Sequence, residues 1–190
     1  MKKLKTQAFK KQIIILCIAL FHTVNAQSDK EISIFHRLLV FNSEGQMLVV
    51  KIANTDFWVT PGLYQTKEQT IKTGLDSIAS TFGIALKELK LNGTFILKRE
   101  INGERATSLR NVYTAKAKDY NEIIPNGIEQ IKWLSTDQAM KTINFPHMNS
   151  MINQIVRHPD KVWGGTLLQF KEKDQWKTKI VEEFYPLFAK

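Results

Sequence analysis

The apolar positions of the chain form short runs typical of strands and spaced stripes typical of helices. Residues 35–41 and 47–53 are mostly apolar and flank the turn-forming residues 42–45, a pattern that predicts a β-hairpin. Residues 57–60 form a shorter strand-like piece, which stops at Pro61. Three strands are therefore predicted at the start of the folded part of the chain.

A helix is predicted between about residues 67 and 82. Its apolar residues stand four, three and four positions apart, which is one stripe of an amphipathic helix. These residues are Ile71, Leu75, Ile78 and Phe82. Gly83 follows at once and fits a C-terminal cap.

A second hairpin is predicted around Asn102 and Gly103, because Asn-Gly is a strong signal for a tight turn. The strand-like residues 94–101 and 106–115 flank this turn. Another short strand is predicted at residues 129–134.

The last third of the chain predicts two helices and a final hairpin. Residues 135–138 have the sequence of a capping box and open a short helix. Pro146 opens a second helix that reaches about residue 156. Residues 166–170 and 176–185 then predict the terminal hairpin. This order of elements indicates an α/β (α+β) fold, with a mixed sheet covered by helices on both faces.

The first 26 residues have the pattern of a secretory signal peptide. Five lysines precede an apolar run at residues 13–21, and the segment ends in small residues at Ala26. The run is about half the ~20 residues that a membrane-spanning helix needs, so no membrane span is expected after cleavage behind Ala26. The sequence thus predicts a bacterial protein that is exported, either periplasmic or secreted.

Cleavage changes the charge balance from which a partner would be inferred. The whole chain has 27 basic and 18 acidic residues and a formal charge of +9, which on its own favours a polyanionic partner. The signal peptide contains five of the lysines and Cys17, the single cysteine, so the mature chain is only mildly basic and has no disulfide. Its basic residues are interspersed with acidic ones and do not form a cluster, so nucleic-acid binding is not expected.

The middle of the chain resembles the Nudix hydrolase family. That family has the box G-x5-E-x7-R-E-U-x-E-E-x-G-U, in which U is aliphatic. Counted from Gly62, this chain supplies the first glycine, Glu68 at the glutamate position, Ile78, Gly83 and Ile84. The strand ending in Trp133, followed by a short helix, is also similar to the family. The resemblance covers roughly residues 34–157 and implies a Nudix-like mixed sheet sandwiched between helices.

The same resemblance shows that the catalytic part of the box is degenerate. Asp76 stands at the arginine position, and Ser77, Ser80 and Thr81 stand at the three glutamate positions that imply a metal site in the family. These positions share one helix face, where carboxylates can hold Mg²⁺ but neutral hydroxyls are weak ligands. The sequence therefore predicts no metal ligand, no cofactor and no catalytic residue at the box.

Acidic residues near the box are weak catalytic candidates. They are Glu68, Asp76 and Glu129. An alignment on Pro61 instead of Gly83 puts Gln69 in place of Glu68. The sequence therefore leaves two residues, Glu68 and Gln69, as candidates for the glutamate position of the box. Each acid also has a structural interpretation, since acidic residues are common near helix starts and strand edges.

Aromatic and histidine side chains offer further candidates. Trp58 precedes the loop of the box and could stack on a ligand, although packing in the core is the commoner role. His36, His147 and His158 are scattered and have no spacing typical of metal ligands, so structural roles are expected.

Three functions are consistent with the sequence. The leading hypothesis is an exported, non-hydrolytic Nudix-fold protein that binds an unknown small molecule or protein. The first alternative is a hydrolase of diphosphate compounds that needs Mg²⁺ or Mn²⁺ and draws carboxylates from Glu68, Asp76, Glu88 and Glu129. The second is a protein-interaction module that uses the C-terminal hairpin and its aromatic residues Trp163, Phe170, Trp176, Phe184 and Tyr185. The oligomeric state is open.

The predicted organisation has three parts. A cleaved signal peptide covers residues 1–26, and a Nudix-like domain covers residues 27–160. Residues 161–190 form a C-terminal hairpin extension that packs on the same domain.

Overall fold

The computed structural model describes residues 32–189, so the predicted signal peptide and Cys17 lie outside the described residues. Nine strands and three helices occur in this part of the chain. The strands are β1 (Ser33–Phe41), β2 (Met47–Ile52), β3 (Trp58–Val59), β4 (Gly62–Tyr64), β5 (Ile84–Ile101), β6 (Glu104–Tyr120), β7 (Ile128–Leu134), β8 (Lys161–Glu172) and β9 (Gln175–Ala189). The helices are α1 (Ile71–Thr81), α2 (Thr136–Thr142) and α3 (Pro146–Arg157).

The strands form one mixed sheet in the order β3-β2-β1-β6-β5-β8-β9. β1 runs parallel to β6 and β5 runs parallel to β8, whereas the other neighbours are antiparallel. β4 pairs with β1, and β7 pairs with β2. The predicted mixed sheet is confirmed, as is the tight turn at Asn102 and Gly103, whose φ angles are 52° and 80°.

One edge of β1 is shared by two other strands. Phe41 pairs with β2, while the stretch from Phe35 to Arg37 pairs with β4. Between them, the backbone N–H of Leu38 donates to Pro61 O at 2.9 Å. A Cβ at Gly62 would lie 2.7 Å from His36 O, so only glycine allows the β3–β4 segment to come this close to β1.

Helices cover both faces of the sheet, as predicted. Because successive strand residues point to opposite faces, Leu38 and Val40 of β1 pack with Leu75 of α1 in one core. Leu39 points the other way and belongs to a second core with Ile152 of α3. The same alternation places the side chain of every odd-numbered β1 residue on the α3 face.

Helix α1 begins at Ile71, later than the predicted start near residue 67. Thr70 caps the helix, since its hydroxyl accepts a hydrogen bond from the backbone N–H of Thr73 at 3.2 Å. Glu68 therefore lies in the segment before the helix and is exposed. At the other end Gly83 has a φ of 73°, which confirms the predicted cap.

The other two helices begin where the sequence predicted. Ser135 and Gln138 form a reciprocal capping box at the start of α2. Pro146 is the first residue of α3, whose N-cap residue Phe145 makes no side-chain capping bond. Residues 32–189 contain no helix that is long and apolar enough to cross a membrane.

The C-terminal strands extend the sheet beyond β5. β8 pairs with β5, and β9 forms the outer edge. Trp163 and Leu167 of β8 are buried in the α3-side core, and the pairing of β8 with β9 is irregular between Gly164 and Thr166.

Candidate functional site

The face of α1 that corresponds to the degenerate box carries hydroxyl groups that bond to the helix itself. Ser80 Oγ donates to Ser77 O at 2.8 Å, and Thr81 Oγ1 donates to Ile78 O at 2.7 Å. Ser77, Ser80 and Thr81 are all exposed. These neutral donors do not fit a hard divalent cation, which prefers carboxylate oxygens.

The acidic candidates lie on different elements, and three of them are paired with lysines. Asp76 of α1 bonds to Lys72 on the same helix. Glu129 of β7 lies 3.0 Å from Lys51. Among residues 32–189, no group of three His, Cys, Asp or Glu side chains could hold a metal ion.

Glu88 of β5 is paired in the same way. Lys116 Nζ lies 2.7 Å from its carboxylate, and this hydrogen bond lowers the pKa of Glu88. The structure thus gives three of the four acids of the hydrolase hypothesis separate lysine partners and leaves Glu68 exposed before α1.

A cleft of about 480 Å³ lies between α1 and the sheet. Helix α1 contributes Ile78 and Thr81, and its C-cap residue Phe82 follows. Phe35 and Arg37 of β1 border the cleft, although the strand alternation directs their side chains to the α3 face. The other walls come from β2, from the segment around β3 and β4, and from the loop that leads to β7. The lining is mostly apolar, and Arg37 alone carries a charge among the described residues that form it.

Arg37 is a buried arginine without an acidic partner. Its exposed fraction is 7%, and its Nη1 donates to Thr60 O at 2.9 Å and to Thr60 Oγ1 at 3.0 Å. Its Nε is buried and has no hydrogen-bond partner. Burial, followed by the charge of Arg110, lowers the pKa of Arg37 to about 9.

Arg110 of β6 lies beside the same aromatic ring as Arg37. The Cζ atom of each arginine is 4.8 Å from the ring centroid of Phe35. Arg110 Nε donates to Ser108 Oγ at 2.9 Å, and burial lowers the pKa of the guanidinium. No carboxylate within the described residues forms an ion pair with either arginine.

His147, in the first turn of α3, lies close enough to Arg37 and Arg110 to be affected by their charges. The side chain is buried, and its Nδ1 has no hydrogen-bond partner. Burial lowers the pKa of His147 to about 3, and the charges of Arg37 and Arg110 contribute in the same direction. The imidazole is therefore neutral, and the two guanidinium groups lie near the uncapped N-terminus of a helix.

Trp58, the stacking candidate, is half-buried against the α3-side core. Lys132 Nζ lies 4.6 Å from the centroid of its ring. The backbone N–H of Trp58 donates to Asn144 Oδ1 at 2.6 Å, which fixes β3 to the end of α2. These contacts give the residue a packing role in the structure.

Sequence reasoning missed both arginines. Arg37 lies in an apolar run, two and four residues before Leu39 and Phe41, and therefore on the same face of the strand. This shared face was a signal that its side chain points inward. Arg110 had no comparable signal, because only the parallel pairing of β1 with β6 places it opposite Phe35.

Solved structures with the same fold were found, although no family model and no curated protein matches the chain. The mutator MutT protein from Bacillus halodurans has a TM-score of 0.64 and 16% identity, over 78% of this chain and 98% of that chain. A Nudix hydrolase from Nitrosomonas europaea has a TM-score of 0.54 and 13% identity, over 67% of this chain and 90% of that chain. An ADP-ribose pyrophosphatase from Streptococcus suis has a TM-score of 0.51 and 12% identity, over 74% and 100% of the two chains.

Proposed function

The chain has the fold of the Nudix hydrolases, and from that premise we propose that it binds a ligand without hydrolysing it. One observation carries the proposal. The three box positions that would be glutamates are Ser77, Ser80 and Thr81, and two of their hydroxyl groups donate to the backbone of α1.

The absence of carboxylates at these positions removes the chemistry on which metal-dependent hydrolysis depends. A divalent cation beside a diphosphate needs anionic oxygen ligands to hold it and to offset its charge. Neutral hydroxyls supply no such charge. Asp76, Glu88 and Glu129, the nearest substitutes, are each neutralised by a lysine on the protein surface.

The fold nevertheless retains a cleft in which a small molecule could bind. The cleft has a volume of about 480 Å³ and mostly apolar walls, as is common for sites that bind organic ligands. Since residues 1–26 have the pattern of a signal peptide, this binding would take place outside the cytoplasm.

The proposal is tested by a hydrolysis assay on the purified chain. Nucleoside triphosphates and nucleoside diphosphate-linked compounds are incubated with Mg²⁺ or Mn²⁺, and product release is followed by chromatography. We expect no turnover above the background. The triple variant Ser77→Glu, Ser80→Glu, Thr81→Glu is the comparison, because a gain of metal-dependent turnover would identify the missing carboxylates as the cause.

Metal-dependent turnover by the unaltered chain would contradict the proposal and favour the hydrolase alternative. The variant Asp76→Asn then shows whether this acid takes part, and Glu129→Gln does the same for the acid on β7. Loss of turnover in either variant would identify a rearranged site.

Protein binding through the C-terminal hairpin is a second candidate function. β9 is an edge strand with several exposed apolar side chains, which are Ile180, Val181, Tyr185, Leu187 and Phe188. Exposed apolar residues on an edge strand favour contact with another protein. Deletion of the hairpin is a poor test, because Trp163 and Leu167 of β8 belong to the core.

A further inference from the structure

A second pocket lies on the α3 face of the sheet, opposite the face that carries the cleft beside α1. Its volume is about 210 Å³. The apolar walls come from Phe41 of β1, from Ile155 and Val156 near the end of α3, and from Pro159. The first three of these residues also pack in the α3-side core, so the fold itself fixes most of the apolar wall.

The mouth of this pocket is charged, and most of its charges are basic. Lys90 of β5 and Lys116 of β6 line it together with Glu88. The pairing of β5 with β6 also places Lys87 opposite Lys116, so three lysines lie near one carboxylate. The hydrogen bond from Lys116 lowers the pKa of Glu88, and the charges of all three lysines act in the same direction. The rim therefore has a surplus of positive charge.

An unusual backbone conformation holds Glu88 at this rim. Its φ is 54°, in the left-handed region that is uncommon for residues other than glycine, and the pairing of β5 with β6 is irregular between Lys87 and Lys90. The carboxylate lies 2.7 Å from Lys116 Nζ. Such conformations are costly and are retained at binding sites more often than elsewhere.

We propose that this pocket binds a small organic monoanion, whose carboxylate lies between Lys90 and Lys116 and whose single aromatic ring or short branched chain fills the apolar part. The inference goes beyond the proposed function, because it concerns a different site on the other face of the sheet. It depends neither on the degenerate box nor on the cleft beside α1.

The rim favours a carboxylate over a cation or a neutral group. No acid in residues 32–189 forms an ion pair with Lys90 or Lys87. An ammonium group forms its stronger hydrogen bonds with anionic oxygens, so these lysines are free to bind one more carboxylate. Glu88 itself shows that a carboxylate fits against the cluster, and it is bonded to only one of the lysines.

The volume and the apolar walls limit the rest of the ligand. A cavity of about 150 Å³ is enough for a benzene ring, so this pocket has room for one ring and a small substituent. Burial of the ring supplies most of the affinity, whereas the exposed lysines supply the preference for a negative charge. Acetate, which has no ring to bury, is therefore expected to bind much more weakly.

A purely structural role for the rim makes a different prediction. If Lys90 only contributed to solubility and Lys116 only fixed Glu88, an aromatic carboxylate would have no preferred place on the chain. A ring that bound in the apolar part alone would bind equally well with a neutral amide in place of the carboxylate.

The test is a titration of the purified, isotope-labelled chain, followed by NMR at constant ionic strength. The probes are benzoate, its neutral counterpart benzamide, and acetate. We expect benzoate to shift the backbone signals of Lys90, Lys116 and Val156 with a Kd in the millimolar range. Benzamide should bind at least about fivefold more weakly, since the exposed ion pair is lost. Acetate should cause no saturable shift.

Substitutions on the rim assign the binding to the lysines. Lys90→Met should weaken benzoate binding about fivefold and leave benzamide binding unchanged. Lys98→Met is the matched control, because Lys98 is an exposed lysine of the same strand that does not line the pocket. Glu88→Gln removes the carboxylate already bonded to Lys116 and should strengthen benzoate binding about fivefold. A structural role for Glu88 predicts no such gain.

A substitution in the wall assigns the binding to the pocket. Val156→Phe fills the apolar part and should abolish binding of benzoate and benzamide alike. Circular dichroism checks that this variant folds. Lys90 and Glu88 are exposed, so their variants keep the test valid if Val156→Phe does not fold.

Several outcomes would overturn the inference. These are no benzoate shifts at the pocket, equal binding of benzamide, or unchanged benzoate binding in both Lys90→Met and Glu88→Gln. An equal loss of binding in Lys98→Met would indicate a general attraction of anions to a basic surface and would also overturn it. None of these results bears on hydrolysis, and metal-dependent turnover would contradict the proposed function without affecting the carboxylate site.

Discussion

His147 shows at the scale of one residue how burial couples the site to pH. Its ring is buried at the start of α3, and two nearby guanidinium groups oppose its protonation. In the unfolded chain its pKa is the ordinary value of about 6.5, whereas in the folded protein the pKa is about 3. Between these values the unfolded state therefore binds more protons than the folded state.

This difference predicts a loss of stability in acid. The contribution of neutral His147 is fully present above about pH 6.5 and is lost as the pH falls toward about 3, by at most about 1.4 kcal/mol per pH unit. Urea unfolding between about pH 7 and 5, above the range in which most carboxylates titrate, measures the effect. The variant His147→Phe should flatten the slope of the free energy of unfolding against pH.

The neighbouring substitution Met148→Leu serves as the control for this measurement. Met148 is equally buried but does not titrate, so its variant should keep the slope of the unaltered chain. An unchanged slope in His147→Phe would show that the pKa of His147 is not lowered in the folded protein.

Individual residues also show which parts of the site could be predicted from the sequence. Ser77, Ser80 and Thr81 were identified through the resemblance to the Nudix box, and helix periodicity then places them on one face. Arg37 and Arg110 were missed, since their importance lies in the absence of an acid around them. That absence depends on every chain segment packed nearby, and no local pattern records it.

Two glycines with nearly the same backbone conformation differ in what surrounds them. Gly83 ends α1 with a φ of 73°, and Gly45 lies in the β1–β2 turn with a φ of 75°. A Cβ at Gly83 would lie 1.8 Å from Asn121 O, whereas a Cβ at Gly45 would have no atom within 4 Å. Gly83 therefore serves both as a helix end and as the place where the chain after β6 crosses α1.

Alanine substitution should separate these two roles. Gly45→Ala is expected to lower the free energy of unfolding by about 1 kcal/mol, the cost of a left-handed residue with a side chain. Gly83→Ala should cost about 3 kcal/mol, because the backbone at Asn121 must also move. Equilibrium unfolding in urea measures both free energies. Equal effects would show that the backbone at Asn121 moves aside without a loss of stability.

The elements themselves were predicted well where local chemistry defines them. The turn at Asn102 and the capping box at Ser135 both form as expected. The first part of β5 was not predicted, since its pairing with β6 is irregular and Glu88 has a φ of 54°. The two-residue alternation that identifies a strand is lost at such irregularities. β4 was missed because a strand of three residues is too short to show an alternation of apolar and polar side chains.

At the scale of the whole molecule, the C-terminal hairpin is part of the core. Leu167 of β8 is fully buried, and Phe184 of β9 packs edge-on against Phe95 with ring centroids 5.3 Å apart. Removal of β8 and β9 would also leave the long strand β5 without its partner on that edge.

A chain truncated after residue 160 is therefore expected to lose cooperative thermal unfolding. The double variant Leu187→Ser, Phe188→Ser changes only exposed side chains and should keep the Tm within about 4 °C. Circular dichroism against temperature and size-exclusion chromatography measure both. A truncated chain that still unfolds cooperatively would show a separable extension and favour the hairpin as a docking element.

Fold class could be read from the order of hairpins and helices, but the arrangement of the sheet could not. The two parallel pairings, β1 with β6 and β5 with β8, join segments that are far apart in the sequence. No turn or spacing in the sequence predicts such a contact, because it depends on the packing of α1 and α3 on the completed sheet.

These parallel pairings also have a consequence for how the chain folds. The β5–β6 and β8–β9 hairpins are closed by two-residue turns and can form early, because their ends are already close. The partners Ser33 and Ser108, and Gly93 and Trp163, must instead meet across long loops, whose closure costs entropy before any contact repays it. We therefore expect slow folding, in which the hairpins form before the parallel pairings that bring Arg37 and Arg110 together.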